Sequence, residues 1–288
     1  MRDDFAVFIL TNGRPDNVCT YLTLRKAGYT GKIYLIVDDL DEAKGKYREK
    51  YGKEVIVFDK KGMDKTFDIG DNFNTFRGVI YARNANFEIA KNLGIKYFMQ
   101  LDDDYSSFYY RFDSDMEYSP KGIKKLDVVF SAMTKFFIDS GAYSIAMAQG
   151  GDFIGGGQSS YSKNIMLKRK LMNSFIFSTD KPIQFIGRIN EDVNLYTRLA
   201  SSGLLFFTLN QVSLSQKTTQ KNSGGMTELY LDSGTYVKSF YSVIYHPSSV
   251  TIKMMGQSHR RLHHSVNWKN TVPLILRESL KKKEALNG

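Results

Sequence analysis

The 288-residue chain is 42% hydrophobic and 14% aromatic, enough apolar side chain for one large domain or two small ones. No apolar run approaches the roughly 18–20 residues that span a bilayer, and the single cysteine, Cys19, excludes a disulfide framework and a four-cysteine zinc site. A net charge of +10, from 40 basic and 30 acidic residues, favours a polyanionic partner, because neutralising phosphates releases counterions.

Much of that excess lies in patches: Lys163, Lys168, Arg169 and Lys170, then Arg260 and Arg261, then Lys281, Lys282 and Lys283. The last run reads as a solvated tail. Arg2, Asp3 and Asp4 ahead of a short strand do not have the form of a signal peptide. The expectation is a soluble protein of a reducing compartment, cytoplasmic.

In chain order, "FAVFILTNGRP" predicts a buried strand ending in a polar loop, with Pro15 placed to open a helix that runs to about Ala27 and is broken by "GYTG". "KIYLIVDD" is a second buried strand, ending in Asp38 and Asp39. A charged helix is expected from Asp41 to Tyr51, and "EVIVF" as a third strand. Residues 60–76 show no clear period and read as a loop. Ala82, Ala85, Ile89 and Leu93 then recur on one helical face, with Gly94 where a left-handed cap would sit. "IKYFMQLD" follows as a strand and delivers Asp102, Asp103 and Asp104. Short connections between alternating elements argue for a mainly parallel sheet covered on both faces.

Beyond the acidic cluster, residues 122–140 predict an amphipathic helix with Ile123, Leu126, Phe130, Met133 and Phe137 on one side. "AMAQGGDFIGGGQSS" and "KNSGGM" read as glycine-rich loops, and a helix from about Asp192 to Ser201 is capped by Gly203. With no linker, internal repeat or low-complexity block, a single domain is expected. Three successive aspartates at a strand tip repel one another unless a cation compensates them. They are either a solvated acidic turn or a metal site at the carboxyl end of a sheet strand, where open α/β folds bind ligands.

A strand ending in "TNGRP", a second ending in "VDD", and "RGVIYARNANFEIAKNLGIKYFMQLDDD" together resemble nucleotide-sugar glycosyltransferases of the A-type fold. The likeness covers roughly residues 5–110 and returns at "GRINEDVNLYTRLASSG". With the text that follows it and the terminal "HRRLHHSVNW", the chain most resembles the TET-associated glycosyltransferases, phage-type enzymes that add sugars to hydroxymethylated pyrimidines in DNA. The resemblance implies an A-type glycosyltransferase fold, a Rossmann-like mainly parallel sheet sandwiched by helices. Residues 1–110 would be its nucleotide-sugar half and 111–288 its acceptor half.

A diphosphate leaving group carries its charge away more easily beside a divalent cation, and hard cations such as Mn²⁺ or Mg²⁺ take oxygen ligands. The resemblance implies Asp104 as the direct metal ligand, Asp102 as a ribose or metal contact, and Asp103 in support. For a UDP-sugar donor, Thr11, Asn12 and Arg14 fit the first loop, and Asp38 or Asp39 would bond the uracil or ribose. Arg77 and Arg83 offer guanidinium groups to the diphosphate, or one of them pairs with the Asp cluster. Asn84 reads as a helix cap.

An acceptor hydroxyl needs a general base, and Asp192 resembles the family's catalytic carboxylate, with Glu191 as the other candidate. Local sequence alone favours an N-cap with favourable dipole placement for the pair, and the wider resemblance reverses that preference for Asp192. His263 or His264 would complete the metal shell, at most one of them ligating; His259 would face phosphate, and Trp268 reads as core. The leading expectation is a metal-dependent transferase moving a sugar to the hydroxyl of a 5-hydroxymethylated pyrimidine in DNA by inverting displacement. The alternatives are a protein or polysaccharide acceptor on the same fold, and a non-catalytic DNA-binding protein.

Overall fold

A computed structural model describes residues 1–149, 165–168, 170–216, 237–255 and 260–280. Strand β1 (Phe5–Leu10) is buried at every residue and is flanked by two parallel neighbours, β2 (Lys32–Asp38) and β4 (Tyr97–Asp102). An unbroken apolar run is what a strand covered on both faces requires. Its alternate side chains feed two cores. Phe5, Val7 and Ile9 pack with Leu24 of α1 (Cys19–Lys26) and with Leu126, Phe130 and Phe137 of α5 (Leu126–Ser140). Ala6, Phe8 and Leu10 face Ile80, Tyr81 and Ala85 of α4 (Ile80–Asn92) and Val193, Leu195 and Tyr196 of α6 (Glu191–Ser201).

The chain winds outward from β1 through β2 and α2 (Lys44–Tyr51) to β3 (Val55–Phe58), then returns through α3 (Lys60–Asp64) and α4 to place β4 on the other side of β1. The sheet therefore reverses its winding direction between β1 and β4, and Leu10 lies in register with Asp102. Such a switch point opens a crevice at the carboxyl ends of both strands. Beyond β4 the sheet becomes mixed. β9 (Ser174–Ser178) runs antiparallel between β4 and β7 (Ser144–Gln149). β10 (Phe206–Gln216) follows, parallel to β7, and then the antiparallel pair β5 (Tyr105–Phe112) and β6 (Tyr118–Gly122), with β8 (Ile165–Met166) on β10. Helix α7 (Val237–Tyr245) covers a separate hairpin of β11 (Val250–Met255) and β12 (Arg261–Val266), and α8 (Trp268–Thr271) stacks Trp268 on Tyr196 at 5.8 Å. No described helix is long and apolar enough to cross a membrane.

Several boundaries differ from those expected. Helix α2 begins at Lys44 rather than Asp41, because the Asp41 carboxylate is spent on the Ala43 and Gly13 amides, at 2.8 and 2.7 Å. The supposed loop at 60–76 contains α3, started by Asp59 accepting from the Gly62 amide. Helix α5 starts at Leu126 because Tyr118–Gly122 pairs with β5 instead. "AMAQ" is the end of β7, not loop; the rest of that glycine-rich stretch and "KNSGGM" lie outside the described residues. The deep face of α4 carries Arg83 and Asn86, and Ala82, Ile89 and Leu93 are only partly covered.

Gly187, at φ +74°, lies in the turn before α6 where a Cβ would sit 2.6 Å from both Tyr245 Cε2 and Asn194 Nδ2. Gly187→Ala should lower stability by about 1–3 kcal/mol through strain at positive φ and overpacking. A urea midpoint equal to that of the parent would contradict this packing.

Candidate active site

The three aspartates after Leu101 diverge. Asp103 turns back into the fold, 3% exposed, accepting from Thr11 Oγ1 at 2.7 Å and pairing with Arg14 Nη2 at 3.3 Å. Tyr47 closes this brace, its hydroxyl 2.8 Å from Thr11 Oγ1 and accepting from the Arg14 amide. Burial pushes the Asp103 carboxyl up, with Arg14 and Thr11 pulling the other way. Asp104 Oδ2 accepts from Gln216 Nε2 at 3.1 Å, which ties the cluster to the end of β10. Asp102 is held by Arg83.

Arg83 is the hub. Its side chain is 1% exposed and its Nε donates to Glu191 Oε1 at 2.9 Å. Nη2 donates to Asp102 Oδ1 at 3.2 Å and to Asn173 Oδ1 at 3.0 Å. The guanidinium lies over the rings of Phe175 and Phe185, with centroids at 5.1 and 5.8 Å. Arg83 thus clamps the tip of β4 to the first turn of α6, and it belongs to the carboxylates rather than to open solvent. Asn84, expected as a cap, instead bonds both the amide and the carbonyl of Phe185, at 2.8 and 3.0 Å.

Burial, reinforced by the neighbouring Asp104, Glu191 and Asp103, outweighs the pull of Arg83 and raises Asp102 to about 7. Burial also pushes the Glu191 carboxyl up, against Arg83. Asp102 nonetheless keeps 21% of its side-chain surface exposed, so a ligand can reach it. A negative excess relieved by one buried guanidinium, with carboxylate oxygens as the donors, suits a hard divalent cation such as Mg²⁺ or Mn²⁺.

At the end of β2, Asp38 is buried and committed. Its Oδ2 accepts from Asn12 Nδ2 at 2.8 Å and from Lys60 Nζ at 2.9 Å, and its Oδ1 from the Leu40 amide. Asp39 is more open and accepts the Lys60 amide at 2.9 Å. Lys60 was invisible as a site residue, since residues 60–76 read as aperiodic. Arg77 is exposed on the segment ahead of α4. That segment is fixed by a second residue the sequence reading missed, Arg188, whose Nη1 donates to the carbonyls of Thr75 and Arg77 at 2.6 and 2.8 Å. Its Nε pairs with Asp71 at 2.9 Å, and both partners are almost fully buried. The signal available was a lone arginine inside the otherwise apolar "FIGRIN".

Asn190, at φ +56°, turns the chain into α6, and its Nδ2 donates to the Lys238 carbonyl at 2.7 Å. Asp192 follows in the first helical turn, partly exposed and without a hydrogen-bond partner among the described residues. Glu191 and Asp192 therefore differ in their surroundings, one bound to Arg83 and the other without a partner among the described residues. Neither serves as the N-cap side chain.

The histidines lie elsewhere. His264 on β12 is 6% exposed and accepts from Lys170 Nζ at 3.4 Å, and His263 Nδ1 donates to the His264 carbonyl at 2.7 Å. Burial, then Lys170, His263 and Lys238, press His264 down to about 3. Among the described residues no group of three or more His, Cys, Asp or Glu is placed to hold a metal, so neither histidine is brought together with the aspartates as a ligand set. His259 lies outside the described residues.

The fold is that of an α/β protein with an acidic cluster at the switch point of its sheet. A family model described as TET-Associated Glycosyltransferase matches residues 5–225, and the chain belongs to that family. Solved structures that resemble it include TarS 1–349 of S. aureus in complex with UDP-GlcNAc, at 11% identity and a TM-score of 0.47 over 83% of this chain and 66% of that one. The chain thus spans just under two thirds of that TarS fragment. The mannosyltransferase PcManGT of Pyrobaculum calidifontis, in complex with GDP-Man and Mn²⁺, shares 8% identity with a TM-score of 0.47 over 85% and 74%. Glucosyl-3-phosphoglycerate synthase of Mycobacterium tuberculosis, in complex with Mn²⁺, UDP and phosphoglyceric acid, shares 9% with a TM-score of 0.47 over 91% and 86%. No curated protein matches the chain.

Removing the hub cation leaves Asp102 and Glu191 buried without compensation, so Arg83→Met should cost about 3–5 kcal/mol. Urea unfolding measures this, and a loss within error of zero would contradict the hub. Asp102 binds its proton near neutrality in the fold but at 3.8 in its ordinary state. Its contribution to stability is therefore full below the lower value and is lost as pH rises through about 7. Asp102→Asn should show a smaller fall in urea midpoint between about pH 5 and about pH 8 than the parent does. Parallel curves would refute the raised pKa.

Proposed function

We propose that this protein transfers a sugar from a nucleotide-sugar donor, a UDP-sugar, to the hydroxyl of a 5-hydroxymethylated pyrimidine in DNA. The observation that carries the reading is the carboxylate of Asp192, without a hydrogen-bond partner among the described residues and beside a neighbour, Glu191, that Arg83 locks to the acidic tip of β4. Family membership supports glycosyl transfer, and the net charge of +10 supports a polyanionic acceptor.

The donor base and ribose would lie across the ends of β1 and β2. Asp39 is the better partner for a ribose hydroxyl or the uracil edge, since Asp38 is already held by Asn12, Lys60 and the Leu40 amide. Thr11 and Arg14 act one step back, fixing Asp103 and through it the loop after β4. Arg77, positioned by Arg188 through its own carbonyl, offers a guanidinium to the diphosphate. Asp102 and Asp104 would hold Mg²⁺ or Mn²⁺, which when bound supplies positive charge against the departing diphosphate.

Asp192 takes the proton of the acceptor hydroxyl as its oxygen forms the new bond to the anomeric carbon. The bond from that carbon to the diphosphate oxygen breaks, and its electron pair leaves with the nucleotide. A single displacement of this kind inverts the anomeric centre. Glu191 and Arg83 hold the first turn of α6 so that the base keeps its aim.

Asp192→Asn should lower turnover by about 10²–10⁴-fold with UDP affinity retained, the range expected for loss of a general base. Asp104→Ala should abolish transfer and leave folding intact. Both are measured with UDP-sugars and Mn²⁺ on hydroxymethylated and unmodified duplexes. Parental turnover in Asp192→Asn removes the base assignment, and transfer to protein or polysaccharide without any to DNA removes the acceptor.

A further inference from the structure

Among the described residues, Met116, Asn173 and Asn190 hold a left-handed backbone without being glycine, at φ +60°, +43° and +56°. Met116 lies in the exposed turn between β5 and β6. The other two stand on either side of Arg83. Asn173 accepts from its Nη2, and Asn190 immediately precedes Glu191, which accepts from its Nε. Asparagine tolerates this conformation better than most side chains, yet it persists only where the surroundings over-determine it, and such residues gather at functional sites.

Asn190 is buried, and its amide is spent on one element, α7. Nδ2 donates to the Lys238 carbonyl at 2.7 Å and to Ser242 Oγ at 3.3 Å. The Asn190 carbonyl accepts from the Asn194 amide at 2.9 Å, which closes the first turn of α6. One residue thus sets the direction of α6 through its backbone and ties it to α7 through its side chain. Helix α7 is itself fixed. Ser239 Oγ donates to the Leu262 carbonyl of β12 at 2.9 Å, and Tyr241 packs with Ile189. Tyr245 lies against Gly70 and Gly187, both at φ +74°, where a Cβ at either would strike its side chain.

Asp192 lies two residues beyond Asn190, with Glu191 between them bound to Arg83. The first turn of α6 is therefore held from two directions, by Arg83 toward the acidic tip of β4 and by Asn190 toward α7. A carboxylate in that turn moves with its backbone. Misplacing a reacting group by about 1 Å can cost about 100-fold in rate, so the second hold bears on chemistry as well as on folding.

We propose that Asn190 is a positioning residue that aims Asp192 at the acceptor hydroxyl, with α7 as the anchor it works through. The aim rests on Asp192 being the base of the proposed transfer; the anchor rests on the bonds of Asn190 alone. Arg83 and Asn190 then divide the work, one setting the distance of α6 from the acidic tip and the other its direction.

The test compares Asn190→Gly and Asn190→Ala with the parent in the full chain. Kinetics with a UDP-sugar and Mn²⁺ on a hydroxymethylated duplex, UDP calorimetry, urea unfolding and amide hydrogen exchange are measured on each. Glycine keeps the left-handed backbone and removes only the side chain, whereas alanine also strains it. Both variants should lose about 10–100-fold in kcat, with donor KM and UDP affinity within about twofold of the parent. The urea midpoint should fall further for alanine. Parental kcat in Asn190→Gly, with the loss confined to Asn190→Ala, assigns Asn190 a backbone role and overturns the aim. On an Asp192→Asn background, Asn190→Gly should cost less than about twofold more in kcat. A further loss of about tenfold there shows that it acts on something other than the base, and also overturns the aim. In Asn190→Gly the Asn194 amide and the amides of α7 should exchange faster, and parental exchange at both overturns the anchor. If Asp192→Asn keeps parental turnover, the proposed base falls and the aim with it, while the exchange rates still decide the anchor.

Discussion

The site depends on one buried guanidinium shared between two carboxylates. Arg83 reaches Asp102 on the strand tip and Glu191 on the first turn of α6, so the two halves of the site cannot move independently. Charge pairs out of water are costly to desolvate and become still more costly when one partner is lost. Stacking over Phe175 and Phe185, and the bond to Asn173, offset part of that cost and fix the fork in one orientation. Burial and the neighbouring carboxylates still outweigh Arg83 and push Asp102 and Glu191 up.

Around the hub the fold repeats one device, a polar side chain spent on bracing a loop. Asp103 serves Thr11 and Arg14, Asp38 serves Asn12 and Lys60, and Arg188 serves the carbonyls of Thr75 and Arg77. Each fixes a loop, and Arg188 also satisfies two backbone carbonyls that would otherwise lack a donor. Asp39, Asp104, Asp192 and the exposed Arg77 stand on these braced segments. Pre-organisation of this kind spares ordering entropy when a ligand arrives.

Much of the architecture was legible because its signals are local. The apolar runs of β1, β2 and β4 are long enough to require two covered faces, and Gly94 and Gly203 adopt the positive φ expected after their helices. Where reading failed, a side chain had been diverted by a distant partner. Asp41 was read as helix but serves Gly13, and Asn84 was read as a cap but bonds Phe185. The histidines were read as metal ligands by resemblance, and the structure sets Lys170, far from them in sequence, against His264.

The sequence alone determined the α/β alternation, the strand that ends in three aspartates, the acidic start of α6 and the family to which the chain belongs. Periodicity and glycine placement act within a few residues, so a linear reading recovers them. Only the tertiary structure decided where each carboxylate is placed: Asp103 turns inward, Glu191 is taken by Arg83, and Asp192 has no hydrogen-bond partner among the described residues. Those outcomes depend on partners separated by up to 108 positions in the chain, and on burial that no local pattern encodes.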